Sequence, residues 1–124
     1  MTLASLKEDL HAVYMRYADG FRKNDVSLID SVVSYPIGYL MDGNVEMLDR
    51  YPVDPMTLKQ DKGWDHSTDW HFDILAVNAI HAHAVASATR RRADGSMIER
   101  VHGFYAFVRV DDTWKMYAFS EVVS

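Results

Sequence analysis

The chain has 124 residues, of which 48% are hydrophobic and 25% charged, so one compact globular domain, 1–124, is expected, and disordered or fibrous classes are excluded. A net charge of −5 disfavours phosphate backbones and anionic lipid, so we expect no nucleic-acid and no membrane partner. The absence of cysteine excludes disulfides, thiolate metal sites and cysteine nucleophiles. With neither a signal-peptide pattern nor a membrane-spanning run, a soluble cytoplasmic domain is predicted.

The first half of the chain predicts two helices. Apolar residues from Leu3 to Phe21 recur at steps of three and four, which predicts an amphipathic helix of about six turns. This helix should end between residues 20 and 24. Asp25 is typical of an N-cap, and a short second helix is predicted over 26–33, ended by Tyr35-Pro36.

A hairpin and a third helix are predicted next. Residues 37–48 flank Asp42-Gly43-Asn44, whose residues tolerate a positive φ and favour a tight turn. Asp54-Pro55 is typical of an N-cap followed by proline at the first helical position, and this short helix should end at Gly63.

The remainder of the chain predicts strands. Residues 70–77, 80–92, 97–110 and 114–122 are rich in aromatic, β-branched and alanine residues. The dipeptides Asn78-Ala79, Asp94-Gly95 and Asp111-Asp112 between them suit tight hairpin turns. Helices at the start and a four-stranded antiparallel meander at the end predict an α+β fold.

The predicted turns also predict which side chains face inward. They place Asp73 opposite Ala84, and Ala84 opposite Tyr105. The expected inner face contains His71, Asp73, Leu75, Val77, Ala82, Ala84, Ala86, Ala88, Val101, Tyr105, Phe107, Trp114, Met116 and Ala118. The expected outer face contains Trp70, Phe72, Ile74, His81, His83, Val85, Ser87, Thr89, His102, Phe104, Val108, Tyr117 and Phe119. A slip of one residue in any hairpin would exchange the faces of that strand.

The two faces differ in character. Four alanines at alternate positions of one strand give the inner face a shallow floor, on which the first helix can lie. One helix does not cover a curved sheet completely, so an apolar cavity is expected at the other end. The outer face carries many aromatic side chains for a solvated surface, so a homodimer with two sheets back to back is predicted.

Several segments resemble the nuclear transport factor 2-like superfamily, which includes ketosteroid isomerase, scytalone dehydratase and SnoaL-like cyclases. The segments are the long first helix, the Asn24-Asp25 step, the Asp42-Gly43 turn, the hairpin at 90–96 and the closing stretch 108–116. The stretch 63–67 resembles an uncharacterised bacterial branch. The resemblance covers nearly the whole chain and implies a cone-shaped, curved antiparallel sheet wrapped around the N-terminal helix, with two further short helices. It also places Tyr14 about where ketosteroid isomerases carry an oxyanion-binding tyrosine, while the matching acids are not evident.

His71 and Asp73 are the predicted catalytic residues. Two positions apart on one strand, they share a face, and the predicted register turns that face into the cavity near Tyr105. A histidine beside a carboxylate in an apolar cavity can act as a general base with an orienting partner. The alternative is a solvated or salt-bridged pair at the cavity mouth.

Candidate ligand-binding residues surround the same cavity. Trp64, His66 and Ser67 precede the third predicted strand, which starts at Trp70, and could form a lid or line the entrance; alternatively, Trp64 fills the core and Ser67 caps a turn. Four tyrosines could offer hydroxyls to a ligand or serve as core residues with a polar tip: Tyr14, Tyr17, Tyr39 and Tyr105.

No metal or cofactor is predicted. His81 and His83 share a strand face but lack a third ligand. Arg90 is expected to pair with Glu99 across a hairpin. No glycine-rich phosphate loop or nucleophile elbow is present.

Two functions remain open. The first is the binding of a small apolar or cyclic molecule in the cavity. If the protein is an enzyme, the expected reaction is a cofactor-independent isomerisation, dehydration or cyclisation by proton transfer. The second is a non-enzymatic homodimeric association module with a filled cavity.

Overall fold

The computed structural model describes all residues, Met1–Ser124, and contains three helices and six strands. The helices are α1 (Leu3–Arg22), α2 (Val26–Asp30) and α3 (Pro55–Lys62). The strands are β1 (Val33–Met41), β2 (Asn44–Leu48), β3 (His66–Val77), β4 (His81–Arg91), β5 (Met97–Val110) and β6 (Thr113–Val123). They form one sheet in the order β2-β1-β6-β5-β4-β3, and β1 runs parallel to β6 while the other neighbours are antiparallel. The predicted α+β class and meander are confirmed, and the sheet is mixed at one pairing.

The helix termini follow the predicted capping chemistry. The Asp25 carboxylate accepts from the Leu28 N–H at the start of α2, and Asp54 accepts from the Met56 N–H at the start of α3. Gly63 ends α3 in the left-handed conformation at φ 72°. The second helix is shorter than predicted because the backbone beyond it already pairs with β6.

The register of β4 against β5 confirms the prediction. Ala84 lies opposite Tyr105, and Arg90 lies opposite Glu99. The alanine floor is also confirmed, since Ala82, Ala84, Ala86 and Ala88 are all buried beneath the helical layer.

The predicted facing of β3 is wrong. Ile74, not Asp73, lies opposite Ala84, so the register differs by one residue. The reason is a bulge in β3, because Val77 and Ala76 pair with Ala82 and His83 next to the turn, but Ile74 pairs with Ala84, so one residue of β3 between them is unpaired. Phe72 and Ile74 consequently face α1, while His71 and Asp73 face outward.

A bulge corrects the predicted facing of β6. Phe107 lies opposite Met116 as predicted, but Ala106 lies opposite Ala118, so one residue of β6 is unpaired. Beyond the bulge Phe119, and not Ala118, faces the core and is fully buried. The same shift turns Glu121 inward, since it lies opposite the buried Gly103.

The core has two chemically different ends along α1. Near the β5–β6 turn, where Arg109 approaches Met1, the buried side chains of the apolar end are Leu6, Leu10, Phe107, Trp114 and Met116. Further along α1 lies the tyrosine end, formed by Tyr14, Tyr17, Tyr51 and Tyr105. The candidate site lies at this second end.

Candidate functional site: a tyrosine-lined chamber with a buried carboxyl

A small chamber of about 50 Å³ lies between α1 and the sheet at the tyrosine end. Its wall is mainly apolar and aromatic, with one arginine and one carboxyl. It is lined by Tyr14, Tyr17, Phe21, Leu58, Trp64, Ser67, Trp70, Ala86, Ser87, Ala88, Arg90, Val101, Gly103, Tyr105 and Glu121. Because a cavity of this size holds a few waters or one small functional group, the chamber does not accommodate a whole ring.

Tyrosine hydroxyls form a cluster around this chamber. The hydroxyls of Tyr17 and Tyr51 lie 2.6 Å apart, and the rings of Tyr14 and Tyr17 each lie within 6 Å of the Tyr105 ring. Burial raises the pKa of all four hydroxyls, and the nearby Glu121 charge raises it further. They therefore keep their protons at neutral pH and act as hydrogen-bond donors.

Gly103 has no side chain, and this leaves room for the Tyr105 ring. A Cβ added at Gly103 would lie 2.5 Å from the Tyr105 hydroxyl and 2.6 Å from Cζ, so the ring lies back over the glycine. Gly103 is the direct neighbour of Glu121 across β5 and β6. The glycine thus brings a phenol towards the carboxyl.

Glu121 is the carboxyl in the chamber wall, with 13% of its side chain exposed. Burial raises the pKa of this carboxyl above its ordinary value, and the positive charges of Arg90 and Lys62 oppose that rise without cancelling it. The Arg90 Nη2 atom lies 3.7 Å from Glu121 Oε2, beyond hydrogen-bond distance. A carboxyl with a raised pKa beside an apolar cavity has the property expected of an acid–base group.

A second carboxylate, Glu99, holds the surrounding cations. Arg90 Nη1 donates to Glu99 at 2.6 Å, and Lys62 Nζ donates to both carboxylate oxygens at 2.8 and 2.9 Å. Burial alone would raise the pKa of Glu99, but these hydrogen bonds outweigh it and the pKa lies below its ordinary value. The predicted Arg90–Glu99 pair is confirmed, and it is part of a four-residue ion cluster with Glu121 and with Lys62, whose side chain is 38% exposed.

A larger groove of about 340 Å³ adjoins the chamber at the C-terminal part of α1. Trp64 and Trp70 belong to the walls of both spaces. The Trp64 Nε1–H donates to Ser67 Oγ at 2.9 Å, which fixes the indole between them. Phe72 stacks on Tyr14 with ring centroids 4.1 Å apart and closes the far side of the groove.

A second opening of about 600 Å³ reaches the ion cluster from the other side of the molecule. Tyr39 lies in this opening, stacked on Phe119 with centroids 4.7 Å apart. Arg90 and Glu121 belong to the walls of both this opening and the chamber.

The structure therefore distributes the predicted ligand-binding residues over three spaces that share wall residues. Tyr14, Tyr17, Trp64 and Tyr105 line the chamber. His66 lies in the groove, where its Nδ1 atom is 2.9 Å from Asp65. Tyr39 lies in the second opening, outside the chamber. Ligand contact by these residues stays a prediction.

The predicted catalytic pair lies outside the chamber, although His71 also borders the groove. His71 and Asp73 do share a face, but it is the outer one, where they border a shallow depression of about 380 Å³ with Ser87 and His102. The one-residue register shift described above removes the pair from the inner face. The pair therefore does not face the chamber, and its catalytic role stays a prediction.

The predicted dimer face also changes composition. Trp70, Phe72, Ile74 and Phe119, predicted on the outer face, belong to the helix-covered side. Apolar side chains that stay exposed on the outer face include Phe104. A homodimer through this face stays a prediction, with a less aromatic surface than expected.

Sequence reasoning missed Glu121, Gly103 and Tyr51. The glycine had a usable signal, because an isolated glycine inside a strand pattern often marks a close approach. Glu121 had no such signal, because the pattern of apolar and polar residues in β6 does not reveal the bulge that turns this side chain inward. Arg90 was noticed only as a partner for Glu99.

Two other features of the structure concern metals and membranes. His81 and His83 are exposed on the outer face, and no three His, Asp or Glu side chains are arranged to hold a metal ion. None of the helices combines the length and apolar character needed to cross a membrane.

Comparison with known proteins gives matches in structure but not in sequence. No protein-family model matches the chain, and no curated protein matches it. A nuclear transport factor 2-like protein from Cytophaga hutchinsonii superimposes with a TM-score of 0.71 at 10% identity, over 100% of both chains. A candidate scytalone dehydratase from Novosphingobium aromaticivorans gives a TM-score of 0.66 at 16% identity, over 95% of this chain and 83% of that one. A hexachlorocyclohexane dehydrochlorinase from Novosphingobium barchaimii gives 0.66 at 14% identity, over 98% and 88%.

The chain thus has the cone-shaped fold of the nuclear transport factor 2-like superfamily, as the sequence resemblance implied. Because this fold carries different activities in different proteins, function has to be argued from the chamber and its residues.

Proposed function

We propose that the protein is a cofactor-independent enzyme that moves a proton on a small cyclic molecule, by isomerisation, dehydration or another elimination. Glu121 is the acid–base group, and the hydroxyls of Tyr14 and Tyr105 donate hydrogen bonds to the oxygen on which negative charge develops. The observation that carries the proposal is the buried Glu121 carboxyl with a raised pKa beside tyrosine hydroxyls that keep their protons.

The arrangement supports this chemistry in a specific way. A base in an apolar wall removes a proton from carbon more effectively than a carboxylate in water, because water does not stabilise its charge. Neutral phenols can stabilise an enolate-like oxygen without competing for the proton. The structural similarity to a candidate dehydratase and to a dehydrochlorinase supports an elimination or isomerisation.

The test uses 5-nitrobenzisoxazole, which reports a positioned base without requiring the natural substrate; its fused ring is too large for the chamber, but Glu121 also borders the second opening of about 600 Å³, which has room for it. A base removes the proton on its C3, the C–H electrons form the nitrile, the N–O bond breaks, and the oxygen leaves as a coloured phenolate. We expect Glu121→Gln to lower kcat/KM by at least about tenfold, in line with the usual contribution of a general base. Activity of the wild-type protein should rise with pH, with a midpoint above the ordinary glutamate value of 4.5.

The matched control is Glu46→Gln, which removes an exposed carboxylate from β2. It should retain the wild-type rate, and thermal melting of both variants verifies that they are folded. A Glu121→Gln protein that is folded and as active as the wild type would contradict the proposal.

The non-enzymatic alternative has one observation in its favour, the small volume of the chamber. Tyr14 and Tyr105 line it closely, and Trp114 and Met116 fill the core at the apolar end. An association module predicts no elimination by the wild-type protein beyond that of acetate at equal concentration. It also predicts sedimentation as a dimer at micromolar concentration.

A further inference from the structure

Arg90 has more hydrogen-bond donors than the protein uses. The residue is 7% exposed, and its side chain emerges from β4 into the wall of the chamber. Only Nη1 donates a hydrogen bond, to Glu99, whereas Nε and Nη2 donate to no protein atom. These two donors are not among the fully buried unpaired atoms of the protein, so they are accessible from the spaces that Arg90 borders, where an acceptor from outside the chain can bind them.

The charges around Arg90 favour an anionic acceptor as long as Glu121 carries its proton. Arg90 and Lys62 are positive, Glu99 is negative, and Glu121 is neutral whenever it carries its proton. In that state the four-residue cluster has an excess of one positive charge. A planar guanidinium with free donors matches the two oxygens of a carboxylate better than a single neutral oxygen.

The volumes of the chamber and the groove limit the size of the ligand that can bind in each. The chamber of about 50 Å³ admits a carboxylate group but not the ring that carries it. The adjoining groove of about 340 Å³ is large enough for a ring and is walled by Trp64, Trp70 and Phe72. Aromatic side chains of this kind hold flat rings through stacked or edge-to-face contacts.

We infer that the ligand is a ring-bearing carboxylic acid whose carboxylate enters the chamber and is bound by Arg90, while the ring lies in the groove. This inference rests on the proposed function for the location of the site and adds the substrate class. It gives Arg90 a role in substrate selection besides its ion pair with Glu99.

The test compares two ligands of the same shape that differ in charge. The full chain is titrated with benzoate and with benzamide at pH 6, and the affinities are measured by calorimetry and by NMR shifts of the tryptophan indole N–H groups. Benzoate should bind at least about tenfold more tightly than benzamide. Equal affinity for the two, or no benzoate binding up to about 10 mM, overturns the inference.

Arg90→Met keeps the aliphatic stem and removes the donors. It should abolish the preference for benzoate, whereas Arg92→Met, which removes an exposed arginine from the β4–β5 turn, should retain it. Because Arg90→Met leaves Glu99 without one partner, Arg90→Met with Glu99→Gln is the second variant and should give the same loss. A folded variant of either kind that still prefers benzoate overturns the inference.

Failure of this inference and failure of the proposed function give different results. Benzoate selectivity that depends on Arg90, together with unchanged elimination in Glu121→Gln, supports the binding role and contradicts the catalytic one. Elimination that requires Glu121, together with equal binding of benzoate and benzamide, supports the catalytic role of Glu121 and contradicts the binding role of Arg90.

Discussion

The apolar end and the tyrosine end of the core are built from the same helix and the same strands, yet they differ in almost every physical property. At the apolar end Leu10, Phe107 and Met116 are at most 1% exposed. At the tyrosine end the helix contributes Tyr14 and Tyr17 in place of leucines, and a chamber replaces close packing.

The contrast indicates that one end of the core stabilises the fold and the other end serves binding or chemistry. Close-packed apolar side chains stabilise the fold through burial and dispersion contacts. Desolvated carboxyls and partly unpaired donors lower stability and are tolerated where they serve binding or chemistry. Substitutions at the first end should therefore change stability most, and substitutions at the second should change activity and pH dependence.

The largest effect is expected at the apolar end, from Phe107→Ala. Removal of a fully buried phenyl ring should lower the free energy of unfolding by about 3–5 kcal/mol, measured by urea denaturation. Phe104→Ala is the matched control, because Phe104 lies three positions away on β5, on the outer face, and is 41% exposed. Similar losses for the two variants would contradict the assignment of the apolar end as the stabilising region.

A smaller effect is expected at the tyrosine end, from Gly103→Ala. The added methyl group collides with the Tyr105 ring, so the free energy of unfolding should fall by about 1–3 kcal/mol and elimination of the nitrobenzisoxazole should slow. In the background of Tyr105→Ala the same methyl group has no ring to displace. In that background Gly103→Ala should lower the free energy of unfolding by less than it does in the wild type. An equal loss in both backgrounds would show that the added methyl group does not collide with Tyr105.

The smallest effect concerns the pH dependence of stability. The pKa of Glu121 is higher in the folded chain than in the unfolded one, so its stabilising contribution is present at low pH. That contribution is lost as the pH rises from the ordinary glutamate value of 4.5 through the raised value. Over this window the free energy of unfolding of the wild type should fall relative to that of Glu121→Gln, measured by urea denaturation at a series of pH values.

Glu99→Gln provides the control of opposite sign. Because the pKa of Glu99 is lowered in the folded protein, its contribution is present above the unfolded-state pKa and lost as the pH falls through the folded-state value. Wild-type stability should therefore rise relative to Glu99→Gln with increasing pH. Parallel curves for the wild type and Glu121→Gln would show that Glu121 titrates alike in both states.

Local chemistry in the sequence was sufficient for the helices and for one hairpin. Asp25, Asp54 and Gly63 act within a few residues, and each is found at the helix terminus predicted for it. The pairing of β4 with β5 is also as predicted from Arg90 and Glu99 onward, although a bulge between Arg90 and Arg91 lies where a two-residue turn was expected. These predictions depend on interactions between near neighbours in the chain.

The site depended on interactions that the sequence does not display. One unpaired residue in β3 moved His71 outward, and one unpaired residue in β6 moved Glu121 inward, because strand side chains alternate and a shift of one exchanges the faces. The sequence by itself determined the elements, their order, the alanine floor and the aromatic character of the cavity. Only the tertiary structure decided which charged groups face the chamber, because Arg90 and Glu99 are neighbours across one hairpin, whereas Lys62 from α3 and Glu121 from β6 join them only in the folded chain.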